Sequence, residues 1–178
     1  AGSGMGRATA LLFAKEGATV VGSDINPGNL EAVVAEATAA GGTMIGVAGD
    51  ISKREDAEAL IARAIEEYGQ LDALVNNAGI MDHMEGVANF RDDTFEKVFG
   101  VNVYGPFVTS RAAVKHMKER GKGAIVNVAS VAGVTGAAAG AVYTASKHAL
   151  IGLSRNTAFT YAPFGVRCNT LIVGGVET

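Results

Sequence analysis

Short β-branched runs alternate with longer stretches of helical spacing along the whole of this 178-residue chain, and no repeat or linker interrupts them. Strands are expected over residues 18–23, 43–48, 71–75, 124–128 and 166–173. Residues 4–17 read as a helix, because Ala8, Leu11, Leu12 and Lys15 recur at helical spacing and Gly17 stops the run. Asn26 before Pro27 is a cap followed by proline at the first helical position, opening a helix to about Ala40. Ser52 and Glu55 have capping-box spacing and open another, which ends near Gly69. A helical region from about Asp93 to Glu119 is expected to bend near Gly105 and Pro106, and the last helix runs from Ala141 to Tyr161. Strand, helix, strand in repetition means parallel strands joined by crossovers. The fold class is therefore α/β, a doubly wound parallel sheet with helices on both faces. Such sheets bind ligands beyond the C-terminal ends of their strands, where strand order switches.

A sheet of this kind needs a strand that feeds its glycine-rich loop, yet the chain starts inside that loop at Ala1. Without the strand, the sheet is expected to split and expose two edges. The expectation is that such a strand precedes Ala1. Residues 1–178 then form one dinucleotide-binding and catalytic domain.

Composition narrows the function. Glycine is unusually frequent (24 residues) with only 3 prolines and no collagen-like period, which suits backbone approached closely by a ligand or a packed helix. The net charge of −3 and the lack of a Lys/Arg run argue against a nucleic-acid surface. There is no long apolar run and no secretory leader, so a soluble, cytoplasmic protein is expected, without a membrane partner. Cys168 is alone, no Cys/His cluster has metal spacing, and neither a disulfide nor a metal is expected. Cys168 reads as a small buried residue.

Gly2-Ser3-Gly4-Met5-Gly6 opens the first helix, where amides and the helix dipole can hold a pyrophosphate. In a glycine-rich chain this is also what a packing turn looks like. Asp24 follows Gly6 by 18 residues, near the distance at which an acid accepts the adenosine ribose hydroxyls. Asn26 fills the capping role, which leaves Asp24 for a ligand. A carboxylate there repels a 2′-phosphate, and no Arg or Lys lies within four residues, so NAD is preferred over NADP. Asp50 follows the next strand, free for another task if Ser52 caps the helix, or simply a solvated loop acid.

Tyr143 and Lys147 stand one helical turn apart, and an ammonium so close to a phenol favours the phenolate. That would make Tyr143 a general acid/base at neutral pH. A Tyr four residues before a Lys arises by chance in about one such chain in six. Adding Ser130 at its fixed upstream place on a strand-end loop brings chance below about one in a hundred. Asn76-Asn77-Ala78-Gly79 follows a buried strand and suits either cofactor contact or pinning neighbouring strands. Asn102 lies in an apolar helical stretch, where an interior amide needs partners.

These residues together resemble the classical short-chain dehydrogenase/reductase family, along the whole of Ala1 to Thr178. Ala1 to Gly6 is similar to the tail of that family's TGxxxGxG loop, 76–79 to its NNAG motif, and Asn102, Ser130, Tyr143 and Lys147 to its catalytic tetrad. The resemblance implies reversible hydride transfer between a nicotinamide and an alcohol/carbonyl pair. Tyr143 would pass the proton, Ser130 would hydrogen-bond the substrate oxygen, Lys147 would bind the nicotinamide ribose, and Asn102 would hold a water relaying protons to Lys147. Gly2, Ser3, Gly4, Met5, Gly6, Asn77, Ala78 and Gly79 would line the dinucleotide; Asp24 would hold its ribose, and Asp50 with Ile51 its adenine. Gly174, Val176 and Thr178 would lie beside the nicotinamide, with Val173 where the family has proline. A C-terminal substrate lid, expected in the family, does not appear in the sequence.

The run from Thr135 to Val142 is nearly all small, which implies a roomy pocket. Met81, His83 and Met84 sit on the loop after NNAG, where His83 reads as a solvated histidine. The apolar helix from Ala141 to Tyr161, with residues 102–119, resembles the family's assembly surface, so a homotetramer is expected, with a dimer as fallback. The leading expectation is an NAD-dependent enzyme interconverting a secondary alcohol and a ketone. Alternatives are an NADPH-dependent 3-oxoacyl-carrier-protein reductase-like enzyme and a non-catalytic dinucleotide-binding sensor or scaffold. A glycine-loop methyltransferase would leave the Tyr-Lys-Ser arrangement unexplained.

Overall fold

A computed structural model describes residues 1–177. The β-branched runs form strands β1 (Thr19–Asp24), β2 (Thr43–Ala48), β3 (Ala73–Asn76), β4 (Gly123–Val128) and β5 (Val166–Leu171). The periodic stretches form helices α1 (Gly4–Lys15), α2 (Pro27–Ala39), α3 (Arg54–Tyr68), α4 (Asp92–Phe99), α5 (Gly105–Arg120) and α6 (Ala141–Tyr161). All strand pairs are parallel, in two separate sheets, β1–β2 and β3–β4–β5. This is the split expected from the sequence.

Each sheet has its own apolar core. Against β1–β2, Ala10 and Ala14 of α1 pack with Leu30, Val33 and Ala37 of α2 and Met44 of β2. Against β3–β4–β5, Ile61 of α3 and Ala113, Val114 and Met117 of α5 meet Leu74, Ile125, Val166 and Cys168. The sheet register brings Leu74 beside Ile125 and Ile125 beside Cys168. Residues paired across parallel strands share a face, so these three form one apolar surface for the helices.

One local expectation is corrected and another refined. Ser52 does not cap α3: Lys53 occupies the capping position, with no side-chain hydrogen bond. The Ser52 hydroxyl and N–H instead both donate to the Asp50 carboxylate, at 2.7 and 2.9 Å. A side-chain bond to a carboxylate two residues back thus won over the capping geometry. The long helical region runs without a gap from Asp92 to Arg120, and its irregularity is a π-helical turn over Gly100–Tyr104, directly before Gly105 and Pro106. Pro106 sits in the first turn of α5, directly after the π-turn, where it cannot donate the next hydrogen bond of the continuing helix.

Candidate active site

The π-turn exists around Asn102, whose side chain is completely buried. Its Oδ1 accepts the N–H of Ile80 at 2.8 Å, while Nδ2 donates to the Ile80 carbonyl at 2.9 Å and to Ser146 Oγ at 3.1 Å. Ser146 in turn donates to the Tyr143 carbonyl at 2.7 Å. Asn102 therefore ties the strand-end loop after β3 to the helix that carries Tyr143 and Lys147. Such π-turns are rare and tend to mark functional positions.

Lys147 is 3% exposed, with no carboxylate partner among the described residues. Its Nζ donates to the Val128 carbonyl at 2.9 Å and lies 5.4 Å from the centre of the Tyr143 ring, within cation–π range. Burial pushes Lys147 down to about 8. Ser130 has extended backbone, and its Oγ accepts the N–H of Ala132 at 3.2 Å, which leaves the hydroxyl hydrogen to donate elsewhere. The loop around it is pinned by main-chain bonds from Ala129 to Leu171 and from Val131 to Val173, both 2.9 Å. Val173, in the family's proline position, therefore runs directly beside the Ser130 loop.

Beneath these residues lies a buried polar network. Asn76 Nδ2 donates to Asn127 Oδ1 at 2.8 Å and Ser110 Oγ at 3.2 Å, and Thr109 donates to Asn76 Oδ1 at 2.7 Å. Asn127 donates onward to Ser154 at 2.8 Å. The motif at 76–79 thus divides its labour: Asn76 pins β3 to β4 and α5, and through Asn127 reaches α6, while Asn77 faces the glycine loop. A Cβ placed on Gly6 would come 2.8 Å from Asn77 Nδ2. Asn127, Ser110, Thr109, Ser146, Ser154 and Asp82 escaped sequence reasoning. Asn127 offered one signal, an amide inside an otherwise apolar strand; the loop acid Asp82 offered none.

At the other sheet, Gly2 donates its N–H to Asp24 Oδ2 at 2.7 Å, and Asn26 donates to Oδ1 at 2.9 Å. Burial works against the charge on Asp24, but hydrogen bonds from the Asn26 and Gly2 amides favour it, and the carboxyl lies below its usual value. Asp50 is held low first by the Ser52 hydroxyl. The Ile51 carbonyl and side chain pack against Gly105 at the start of α5, where a Cβ would lie 2.8 Å from that carbonyl. Ser3 and Gly4 are exposed at the open N-terminus of α1, which has no side-chain cap, and Met5 is half-buried behind them. Ala78 and Gly79 are exposed beyond β3; Gly174 and Val176 are exposed beyond β5, and Thr178 lies outside the described residues.

The residues present fit a nicotinamide dinucleotide. An uncapped helix start with a carboxylate near it lies at the C-terminal end of β1, and a buried lysine lies at the C-terminal end of β4. A Cβ on Gly79 would lie 3.4 Å from both Lys147 Nζ and Asn102 Oδ1, so that glycine keeps the approach to the lysine open.

A parallel α/β fold with these features defines a dinucleotide-linked oxidoreductase. The chain belongs to the short chain dehydrogenase family, whose model matches residues 1–178. It is 39% identical over 177 residues to 3beta-hydroxysteroid dehydrogenase 2 of Eggerthella lenta, covering 99% of this chain and 68% of that protein. It is 44% identical over 176 residues to the 3beta-hydroxysteroid dehydrogenase of Mediterraneibacter gnavus, covering 99% of this chain and 63% of that protein. Its fold matches the crystal structure of levodione reductase with a TM-score of 0.93 and 35% identity, over 97% of this chain and 68% of that one. No helix among the described residues is long and apolar enough to cross a membrane.

Proposed function

We propose that the protein interconverts a secondary alcohol and a ketone with NAD(H), using Tyr143 as general acid/base. The observation that carries this reading is Lys147: a buried ammonium with no carboxylate partner among the described residues, one turn from Tyr143 and beside the opening at Gly79. Burying such a charge is costly unless something uses it. The bound nicotinamide would supply the hydride acceptor for oxidation and the donor for reduction. In oxidation, Tyr143 takes the hydroxyl proton of the substrate; in reduction it returns a proton to the carbonyl oxygen. Ser130 donates to that same oxygen and holds it. Lys147 donates to the ribose hydroxyls and favours the ionised form of the tyrosine. The side chain of Asn102 is fully engaged, so a water relaying protons to Lys147 would rest on its main-chain carbonyl.

Asp24 supports NAD over NADP, because a carboxylate at the end of β1 repels a 2′-phosphate. Residues 1–178 act in this reading as one dinucleotide-binding and catalytic domain. The hydroxysteroid dehydrogenases it is similar to favour a cyclic secondary alcohol as substrate. We also propose a homotetramer, or at least a dimer, through α5 and α6, which present Phe107 and Phe159 at 48% and 86% exposure.

The test is appearance of NADH when the enzyme is given NAD and, in turn, a 3β-hydroxysteroid and cyclohexanol. Reduction of the nicotinamide is expected with NAD and not with NADP. Faster turnover of a 3-oxoacyl thioester with NADPH would favour the carrier-protein reductase reading. Binding of NADH without turnover of any of these would favour the non-catalytic one.

A further inference from the structure

Helix α6, which carries Tyr143 and Lys147, has no cap of its own. Gly140 holds the capping position, without a side chain, and the first turn contains no acid. The acid comes from the loop after β3. Asp82 is 8% exposed, and its Oδ2 accepts the N–H of Tyr143 at 2.9 Å, from 61 residues away in sequence. Its Oδ1 accepts the N–H of Met84 at 3.1 Å, and the Glu85 carbonyl accepts the N–H of Ala141 at 2.8 Å. Residues 82–85 thus clamp the first and third residues of α6.

The surroundings are shaped to this carboxylate. A Cβ on Gly140 would lie 2.6 Å from Asp82 Oδ1, so any larger residue there would displace the acid. Met84, with φ of 62°, is the one non-glycine residue of left-handed backbone among the described residues, and it supplies the second N–H. For a side chain other than glycine or asparagine that conformation is unfavourable by about 1 kcal/mol. A charged acceptor at a helix start also opposes the exposed positive end of the helix dipole.

We propose that Asp82 is a positioning residue for Tyr143, holding the main chain of the tyrosine so that its phenol meets the substrate oxygen. This rests on the reading of Tyr143 as general acid/base. Lys147 is fixed from the sheet side through Val128, but Tyr143 lies in the first turn, where helix amides lack partners within the helix. Asp82 supplies the missing partner at the residue whose placement sets the rate. A misplacement of about 1 Å at such a centre can lower rates about a hundredfold.

The experiment measures kcat, KM and NADH affinity of the whole enzyme with NAD and a 3β-hydroxysteroid as probe, using Tyr143→Phe as the floor. Asp82→Ala is expected to lower kcat between about tenfold and a hundredfold, with KM and NADH affinity changed less than about twofold. Asp82→Asn, whose amide oxygen can still accept the Tyr143 N–H, should recover most of the loss. Gly140→Ala should reproduce the loss, yet add nothing in the Asp82→Ala background, because no carboxylate remains to be displaced. If Asp82→Ala fails to fold, the Asn and Gly140 variants decide. Wild-type kcat in both, or full additivity of the two alanine changes, overturns the proposal. Wild-type turnover in Tyr143→Phe overturns the functional reading itself, and the positioning role with it.

Discussion

Around β1–β2, the candidate site is built from main chain and one partly exposed carboxylate. Gly2, Ser3 and Gly4 offer backbone at the start of α1, and Asp24 is oriented by amides from its own neighbourhood and from Gly2. Around β3–β4–β5 it is built from buried side chains held by partners far away in sequence. Asn102, Asn127 and Lys147 are almost fully enclosed, and their bonds reach from β3 to α6. The difference matches two tasks. Holding an anion at a helix start needs amides and room, so glycine and local hydrogen bonds suffice. Placing a phenol against a reacting atom needs rigidity, which a fully satisfied polar network supplies.

Breaking the buried network should show the contrast most strongly. Asn127→Ala removes one hydrogen-bond partner each from the Asn76 amide and the Ser154 hydroxyl in a fully buried site, and should destabilise the fold by about 3 kcal/mol in urea unfolding. A comparable loss from any single polar change at the surface of α1 or α2 would contradict the comparison.

Lys147 sharpens it through pH. In the unfolded chain this lysine titrates at its ordinary 10.5, and in the fold at about 8. Between those values the unfolded state holds more protons, so stability rises with pH. The stabilisation is fully present above 10.5 and lost as pH falls through 8. The wild type should therefore gain up to about 3 kcal/mol over that window that Lys147→Met does not. Parallel curves for the two proteins would show that the lysine is not desolvated.

Smaller effects belong to the other sheet. Asp24→Asn should weaken NADH binding and strengthen NADPH binding, each by about 1 kcal/mol or somewhat more, read by nicotinamide fluorescence. An unchanged ratio of the two affinities would place Asp24 outside the ribose site. The exposed pair of Arg7 and Glu36 links α1 to α2, and Glu36→Gln should change stability by no more than about 0.5 kcal/mol.

The same contrast governs what could be read from sequence. Asn26 before Pro27 dictates its cap locally, and the structure has it, with Asn26 accepting the N–H of Asn29 at 3.0 Å. The bounds of β2 and α6 follow in the same way from local pattern. Tyr143 and Lys147 were legible because one helical turn separates them. The partners of Asn76 were not, because Ser110, Thr109 and Asn127 arrive by chain crossovers that no spacing encodes. Asp82 was hidden for the same reason. Ser52 misled because its hydroxyl turns to donate to the nearby Asp50 carboxylate and accepts no helix N–H.

The claim that Tyr143 carries the chemistry is tested most directly by titrating NADH into Tyr143→Phe while following its turnover. The account predicts NADH affinity within about twofold of wild type and turnover lowered by at least about a hundredfold. Turnover retained at the wild-type rate, or NADH binding lost together with it, would contradict the account.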